Sequence, residues 1–120
     1  MIQLNILYPK TENATFDWDY YLNIHMPMSI KLQGTALKGV SIVKGIGGIE
    51  GVQVAHIAIT SMLFESVNSF IDAFTPHAEM LQGDMKNYTN IQPVIQFSDV
   101  VLQVGEGEKE GPSYDDPVSF

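Results

Sequence analysis

Three histidines, His25, His56 and His77, are the residues of this chain best suited to acid–base chemistry. Histidine is the side chain whose ordinary pKa lies nearest neutrality, so the search for a proton carrier starts with these three. The chain has no cysteine, which excludes thiolate catalysis and zinc–thiolate sites. No H-x-x-x-H or H-x-H spacing occurs, so we predict no bound metal and no other tightly bound cofactor.

The charge balance narrows the range of partners. Fourteen acidic residues oppose six lysines and no arginine in 120 residues, for a net charge of -8. Nucleic acid and anionic membranes are therefore not expected as partners. Without the bidentate arginine fork that grips carboxylates and phosphates, the expected ligand is a small, neutral, apolar molecule. A 45% hydrophobic composition fits one folded domain, and the lack of a basic segment followed by an apolar run predicts a cytoplasmic protein.

The first half of the chain predicts a strand and then a helix. Apolar residues alternate with polar ones from Ile2 to Tyr8, and Pro9 ends the pattern. Asp17 is suited to cap a helix that Gly34 closes. The apolar stripe of this helix recurs at steps of three and four residues and consists of Trp18, Tyr21, His25, Met28 and Leu32. Pro27 cannot donate to the carbonyl of Asn23, so we predict a kink near His25.

The rest of the chain predicts a hairpin, a second helix and a last strand. Residues 37–46 and 52–64 are expected to pair as strands around a glycine-rich link, and residues 91–104 supply the fourth strand. Ser66 is suited to cap the second helix, which is expected to stop at Gly83. The order β-α-β-β-α-β is typical of the ferredoxin-like α+β fold, an antiparallel sheet with both helices on one face.

The other face of that sheet is predicted to meet a second copy of the chain. Both alternations of residues 52–64 are largely apolar, which favours a sheet that is covered on both sides and thus a homodimer. His56 aligns with Val54 and Ala58, and we assign it to this second face as a structural residue. Residues 1–104 are expected to form the domain. Residues 105–120 form an acidic tail, which is either disordered or docks Tyr114, Val118 and Phe120 on the partner subunit.

Each candidate at the predicted site has a structural alternative. His25 lies in the middle of the first helical stripe, where it is either a core histidine satisfied by backbone or a tyrosine hydroxyl, or a proton carrier. If His25 is a proton carrier, the carbonyl left free by Pro27 is expected to hold one of its ring nitrogens. His77 follows Pro76 at the edge of the second helix and is either a half-exposed boundary residue or part of a pocket. The aromatic residues near Trp18 line a pocket for a flat molecule or belong to the core.

Several short motifs, taken in order, resemble the EthD family. They are Tyr8-Pro9, Phe16-Asp17 with Tyr20-Tyr21, His25-Met26-Pro27, Pro76-His77, and Asn87-Tyr88-Thr89-Asn90 followed by Pro93 and Gln96. The resemblance spans residues 2–104 and implies a dimeric α+β barrel of the ferredoxin-like type. It also implies a likeness in fold to cofactor-independent monooxygenases, lactone isomerases, decarboxylases and dehydratases. By this resemblance the histidine and asparagine motifs converge on a cavity between the sheet and the helices.

Together these observations give one leading hypothesis and one rival. In the first, the chain is an enzyme or enzyme accessory for a small apolar or aromatic compound, monooxygenase-like or an isomerase or lyase by resemblance. The catalytic set is His25 as acid–base group, His77 as second proton carrier, and Tyr21 and Asn87 as donors to a substrate oxygen. The substrate pocket is predicted to contain Trp18, Met28, Phe74 and Tyr88. In the rival, the chain is a stress-type dimeric module that only holds a ligand.

Overall fold

The computed structural model describes residues 1–105 and shows one four-stranded antiparallel sheet. Its strands are β1 (Ile2–Pro9), β2 (Gly39–Lys44), β3 (His56–Phe64) and β4 (Val94–Asp99). They lie in the order β2-β3-β1-β4, so β1 is central and pairs with both β3 and β4. The predicted hairpin is the β2–β3 pair. This is the strand order of the ferredoxin-like fold, and the predicted fold class is confirmed.

Two helical runs complete the fold. Helix α1 covers residues 18–33 and contains Trp18–Tyr20, a π-helical turn at Tyr21–His25, and Met26–Gln33. Helix α2 covers residues 67–84 and contains Val67–Phe74, a 3-10 turn at Thr75–His77, and Ala78–Asp84. Asp17 and Ser66 accept backbone hydrogen bonds from Tyr20 and Ser69, so both predicted caps are confirmed.

The irregular turn of α1 changes which of its residues face the sheet. Pro27 was expected to kink the helix, and the structure has a π-helical turn directly before it, at Tyr21–His25. Such a turn holds one residue more than an α-helical turn, so the positions that follow are displaced around the axis. The buried residues beyond His25 are accordingly Met26, Ser29 and Gln33, whereas Met28 and Leu32 of the predicted stripe are half-buried.

The two faces of the sheet differ in chemistry. The face toward the helices carries Leu4, Tyr8, Ala58, Met62 and Phe64, which form the centre of the core. Even-numbered positions of β3 therefore face the helices, and assigning the His56 and Ala58 alternation to the opposite face was wrong. The opposite face is less apolar than predicted, because Asn5 bonds there to the hydroxyl groups of Ser61 and Ser98.

The ends of several elements differ from the sequence prediction. The strands predicted at 37–46, 52–64 and 91–104 are shorter, and a 3-10 turn at Ile49–Gly51 interrupts the stretch before β3. Helix α2 does not stop at Gly83: it continues through Asp84 and is followed by a 3-10 turn at Met85–Asn87. Propensity and pattern fix such ends poorly because pairing and packing decide them. The predicted tail beyond residue 105 lies outside the described residues.

Gly34 and Gly83 both have room for a Cβ atom but differ in backbone conformation. A Cβ at Gly83 or at Gly34 would have no other atom within 4 Å, but Gly34 has φ +59° and Gly83 lies within α2. Gly83→Ala is therefore expected to raise the free energy of unfolding by about 0.5–1 kcal/mol. Gly34→Ala is expected to lower it by about 1–3 kcal/mol because alanine is strained at this φ. Urea denaturation of both variants measures the two values, and equal signs would contradict the assigned conformations.

Candidate active site

A cavity of about 290 Å³ lies between helices α1 and α2 and the sheet face they cover. Its walls are mainly apolar, with a few polar side chains among them. The lining residues are Leu4, Ile6, Tyr8, Tyr21, His25, Met26, Ser29, Gln33, Met62, Phe70, Phe74, Leu81, Gln82, Met85, Tyr88, Pro93, Ile95 and Phe97. Small-molecule sites are commonly lined in this way, and the volume suits a compound of one or two rings.

His25 is the histidine of this cavity. It ends the π-helical turn of α1, is 8% exposed, and stacks on Tyr21 at 5.7 Å between ring centroids. The ring of Tyr88 lies 4.6 Å from it on a tilted plane. Its Nδ1 atom lies 2.9 Å from Oδ2 of Asp84, while Nε2 has no hydrogen-bond partner among residues 1–105. The contact with Asp84 therefore fixes Nδ1, and Nε2 is left for a ligand.

Asp84 is itself held by two further side chains. Its Oδ1 atom accepts a 2.6 Å hydrogen bond from the Tyr20 hydroxyl and a 2.9 Å bond from the Asn87 amide. Only 14% of the side chain is exposed. Burial by itself would raise the pKa of Asp84, but the hydrogen bonds from Tyr20, Asn87 and His25 outweigh it and hold the pKa below the ordinary 3.8. The carboxylate is therefore ionised at neutral pH.

An ionised Asp84 determines the protonation pattern of His25. A carboxylate accepts hydrogen bonds and cannot donate one, so Nδ1 carries the ring proton and Nε2 presents a lone pair. If Nε2 gains a proton, the resulting imidazolium lies beside a negative charge at hydrogen-bond distance. The sequence had predicted a backbone carbonyl or a tyrosine hydroxyl as the partner of His25. That prediction was wrong, because the partner is a carboxylate from the end of the other helix.

Three tyrosines beside His25 supply neutral hydroxyl groups. The hydroxyls of Tyr8 and Tyr88 lie 2.9 Å apart, and the hydroxyl of Tyr21 bonds to Thr60. Burial raises the pKa of each of these three phenols, so none is ionised near neutral pH. Tyr8 also hydrogen-bonds to Tyr21, so the four hydroxyls of Thr60, Tyr21, Tyr8 and Tyr88 form one chain of three hydrogen bonds that retains one hydrogen. The bonds run from Thr60 toward Tyr88, so the hydroxyl hydrogen of Tyr88 is left for an oxygen in the cavity.

The structure brings some of the predicted site residues together and separates others. His25, Tyr21, Phe74 and Tyr88 line the cavity. Asn87 does not line it, but it holds Asp84.

The other predicted site residues lie elsewhere. His77, Trp18 and Met28 are not among the described residues that line the cavity. Trp18 packs on Phe16 at 4.6 Å and lies under the ammonium group of Lys44 at 5.6 Å, at the outer end of the aromatic cluster.

Sequence reasoning missed Asp84 at the end of α2 and Ser29 and Gln33 on α1. Asp84 was not considered because the second helix was expected to end at Gly83. Its sequence separation from His25 is 59 residues, so only the packing of α1 against α2 reveals the pair. Gln33 and Ser29 were recognisable in principle, since they follow His25 at steps of four residues on one helix face.

Residues 1–105 contain neither a cluster of metal-binding side chains nor a helix that could span a membrane. No three side chains of histidine, aspartate or glutamate converge there in a way that could hold a metal ion. No helix in this part of the chain is long and apolar enough to cross a membrane.

The fold and the cavity together define a class of protein. This is a ferredoxin-like α+β domain with an apolar, small-molecule-sized cavity between sheet and helices, and with one histidine–aspartate pair in its wall.

Comparison with solved structures identifies the family. An EthD-like protein from Ralstonia eutropha JMP134 is 38% identical with a TM-score of 0.81, over 85% of this chain and 93% of that one. The chain therefore belongs to the EthD-like family, and the predicted resemblance is confirmed. An EthD family protein from Bacillus halodurans C-125 is 18% identical with a TM-score of 0.66, over 83% and 98% of the two chains.

A third structure shares the fold at greater distance. A protein from Arabidopsis thaliana is 10% identical with a TM-score of 0.63, over 86% of this chain and 98% of that one. No family model and no curated protein matches the chain.

Proposed function

We propose that this EthD-like protein is an enzyme that moves a proton on a small, neutral, apolar or aromatic compound, with His25 as the acid–base group. The observation that carries the proposal is the His25–Asp84 pair, whose free Nε2 belongs to a cavity-lining side chain. A general base needs a fixed tautomer, a free lone pair and a nearby counter-charge for its protonated form. His25 has all three.

The proposed step transfers one proton and needs no bound cofactor. An acidic C–H or O–H of the substrate gives its proton to Nε2, which leaves a substrate anion and an imidazolium. The ionised Asp84 stabilises the imidazolium, and the hydroxyl hydrogen left on Tyr88 stabilises the anion. Return of the proton to a different atom completes an isomerisation. Loss of a leaving group from the anion completes an elimination, and electron transfer from the anion to dioxygen begins an oxidation.

Other titratable groups near the cavity are less suited to this role. The buried tyrosines have raised pKa values, so their phenolate forms are scarce at neutral pH. Asp84 is ionised but does not line the cavity, and its two oxygens are occupied by three donors. The role of His77 as second proton carrier remains a prediction, and the proposed step does not need it, since His77 does not line the cavity.

The arrangement favours catalysis over simple ligand storage. A cavity that only holds a neutral apolar molecule has no use for a histidine in its wall whose ring is bound to an ionised carboxylate. Here three donors orient Asp84, and the charge is directed at a single nitrogen of His25. The lowered pKa of Asp84 means that the folded protein favours the ionised form of this carboxylate, and a charge directed at one nitrogen of a histidine is typical of an acid–base site.

The experiment measures proton transfer without knowledge of the natural substrate. The two-ring ketones 2-tetralone and 1-indanone carry acidic C–H groups beside the carbonyl and are neutral and apolar. Exchange of these hydrogens for deuterium in D₂O is followed by proton NMR with and without protein. The proposal predicts accelerated exchange for at least one ketone, and it predicts that the acceleration depends on His25. Binding of both ketones with no acceleration over buffer would support the ligand-holding rival instead.

We also propose that two copies of the chain pair through the sheet face that the helices leave uncovered. On that face Ile59 of β3 lies between Leu7 of β1 and Val43 of β2, and Val43 is 52% exposed. Adjacent apolar side chains on an uncovered sheet face are typical of an interface.

Light scattering tests the pairing. The expected mass is twice the 13.3 kDa chain mass, and Ile59→Lys is expected to halve it. Ile71→Lys, on an exposed position of α2, serves as control and is expected to leave the mass unchanged. A wild-type protein with the mass of one chain at all concentrations would contradict the pairing.

A further inference from the structure

One polar side chain of the cavity, Gln33, is not used in the proposed proton transfer. Gln33 lines the cavity and is only 4% exposed. Its Nε2 atom donates to the Ser29 hydroxyl at 2.9 Å and approaches the sulfur of Met62 at 3.6 Å. Its Oε1 atom is buried and has no hydrogen-bond partner within the described residues.

An orphaned amide oxygen of this kind needs an explanation. A buried acceptor without a partner destabilises a protein by about 1–3 kcal/mol, and most such groups in folded proteins are satisfied. Both hydrogens of the Gln33 amide are directed at protein atoms, so the group still lacking a partner is the oxygen. That oxygen can accept a hydrogen bond but cannot donate one. A ligand that satisfies it must bring an O–H or N–H group.

The position of Gln33 fixes where on the ligand that donor must be. His25, Ser29 and Gln33 follow one another at steps of four on the same face of α1, and all three line the cavity. A rise of 1.5 Å per residue places Gln33 about 12 Å from His25 along the helix axis. Apart from Ser29, the walls between them are mainly apolar, with side chains such as Met26, Met62 and Phe70.

We infer that the cavity recognises an elongated apolar or aromatic molecule with a reacting group at His25 and a neutral hydrogen-bond donor, a hydroxyl or an N–H, that reaches Gln33. This inference rests on the proposed function for the reacting end and on Gln33 for the other end. Gln33 is then a specificity-determining residue. Its amide is positioned by Ser29 and Met62, and its oxygen is the acceptor that is left for the distal donor of the ligand.

Three probes that share one apolar body isolate the distal group. They are 4,4′-dihydroxybiphenyl, 4-hydroxybiphenyl and 4-hydroxy-4′-methoxybiphenyl, and each Kd is measured by titration calorimetry. The wild-type protein is expected to bind the first roughly ten- to a hundredfold more tightly than the other two, because only the first offers a donor at both ends. The methoxy compound has an oxygen atom but no donor at its second end, so it shows whether the preference comes from the hydrogen-bond donor or from the oxygen atom itself.

Two variants make the same chemical change at different places in the cavity wall. Gln33→Met keeps the length of the side chain and removes its polar atoms, so the preference for the dihydroxy probe is expected to disappear while the affinity for 4-hydroxybiphenyl is kept or improved. Gln82→Met is the matched control, since Gln82 also lines the cavity but is exposed, and it is expected to retain the preference. Retained affinity for 4-hydroxybiphenyl also shows that Gln33→Met is folded.

The outcomes separate this inference from the proposed function. His25→Ala is expected to remove proton exchange on the ketones and still to bind 4-hydroxybiphenyl, whose single hydroxyl then lies at Gln33. Equal affinities of the wild-type protein for the three probes, or no measurable binding of any of them, would overturn the role of Gln33. A preference that survives in Gln33→Met would overturn it as well. None of these outcomes depends on whether His25 transfers a proton.

Discussion

Replacing His25 with alanine is expected to lower the protein-dependent rate of deuterium exchange on 2-tetralone or 1-indanone by roughly 10²- to 10⁴-fold. This is the range that a positioned proton carrier commonly contributes. The Nε2 atom of His25 is the group that receives the proton, and no other titratable side chain among the cavity-lining residues is in a basic form at neutral pH. Exchange rates by NMR, measured over a range of ketone concentrations, give the size of the loss.

The control for this variant makes the same substitution at another histidine. His56 is half-buried at the start of β3 and does not line the cavity, so His56→Ala is expected to leave the exchange rate unchanged. The affinity of His25→Ala for the ketone should stay within a few fold of the wild-type value, because apolar contact supplies most of the binding. An exchange rate that is the same in His25→Ala and in wild-type protein would show that His25 is not the proton carrier.

Asp84→Asn is expected to lower the same exchange rate by roughly 10²- to 10⁴-fold although the chain still folds. The amide is neutral and cannot stabilise an imidazolium. Its N–H group can also donate to Nδ1 of His25, which would move the ring proton to Nε2 and leave no lone pair for the substrate. Nitrogen-15 NMR of the imidazole ring measures this directly. The wild-type ring should carry its proton on Nδ1, and the variant should gain the other tautomer.

The pH dependence of the Asp84 effect follows from the direction of its pKa shift. The pKa of the Asp84 carboxyl is lowered below the ordinary 3.8, so the group is ionised throughout the range from about pH 5 to 8. The ratio of wild-type to Asp84→Asn exchange rates should therefore show no step caused by titration of Asp84 in that range. Asp72→Asn, at an exposed position of α2, is the matched control and should retain the wild-type rate. A full rate in Asp84→Asn would mean that the carboxylate only supports the structure.

Local signals in the sequence predicted much of the fold. The alternation from Ile2 to Tyr8 and the caps at Asp17 and Ser66 were read correctly because each depends on neighbouring residues only. The order of strands and helices then left few possible topologies, and the observed sheet is one of them. Strand ends were less accurate, since the residues beside β3 and β4 have apolar side chains that are compatible with either strand or loop.

The candidate site was harder to predict because its parts meet only in the folded chain. His25 was found from its residue type and its place on the helical stripe, but its partner Asp84 comes from the far end of α2. The π-helical turn was not predicted, and its extra residue moves Ser29 and Gln33 to the positions that a regular helix would give to Met28 and Leu32. A single irregular turn therefore changed the composition of the predicted pocket.

The most direct measurement is deuterium exchange on a saturating ketone, compared between the wild-type protein and His25→Gln. Glutamine can form hydrogen bonds at this position but cannot accept a proton at neutral pH, so the comparison isolates proton transfer from binding and packing. The proposal predicts that the wild-type protein accelerates exchange over buffer and that His25→Gln loses this acceleration while it still binds the ketone. Undiminished exchange in the ketone-saturated His25→Gln protein would contradict a proton transfer by His25.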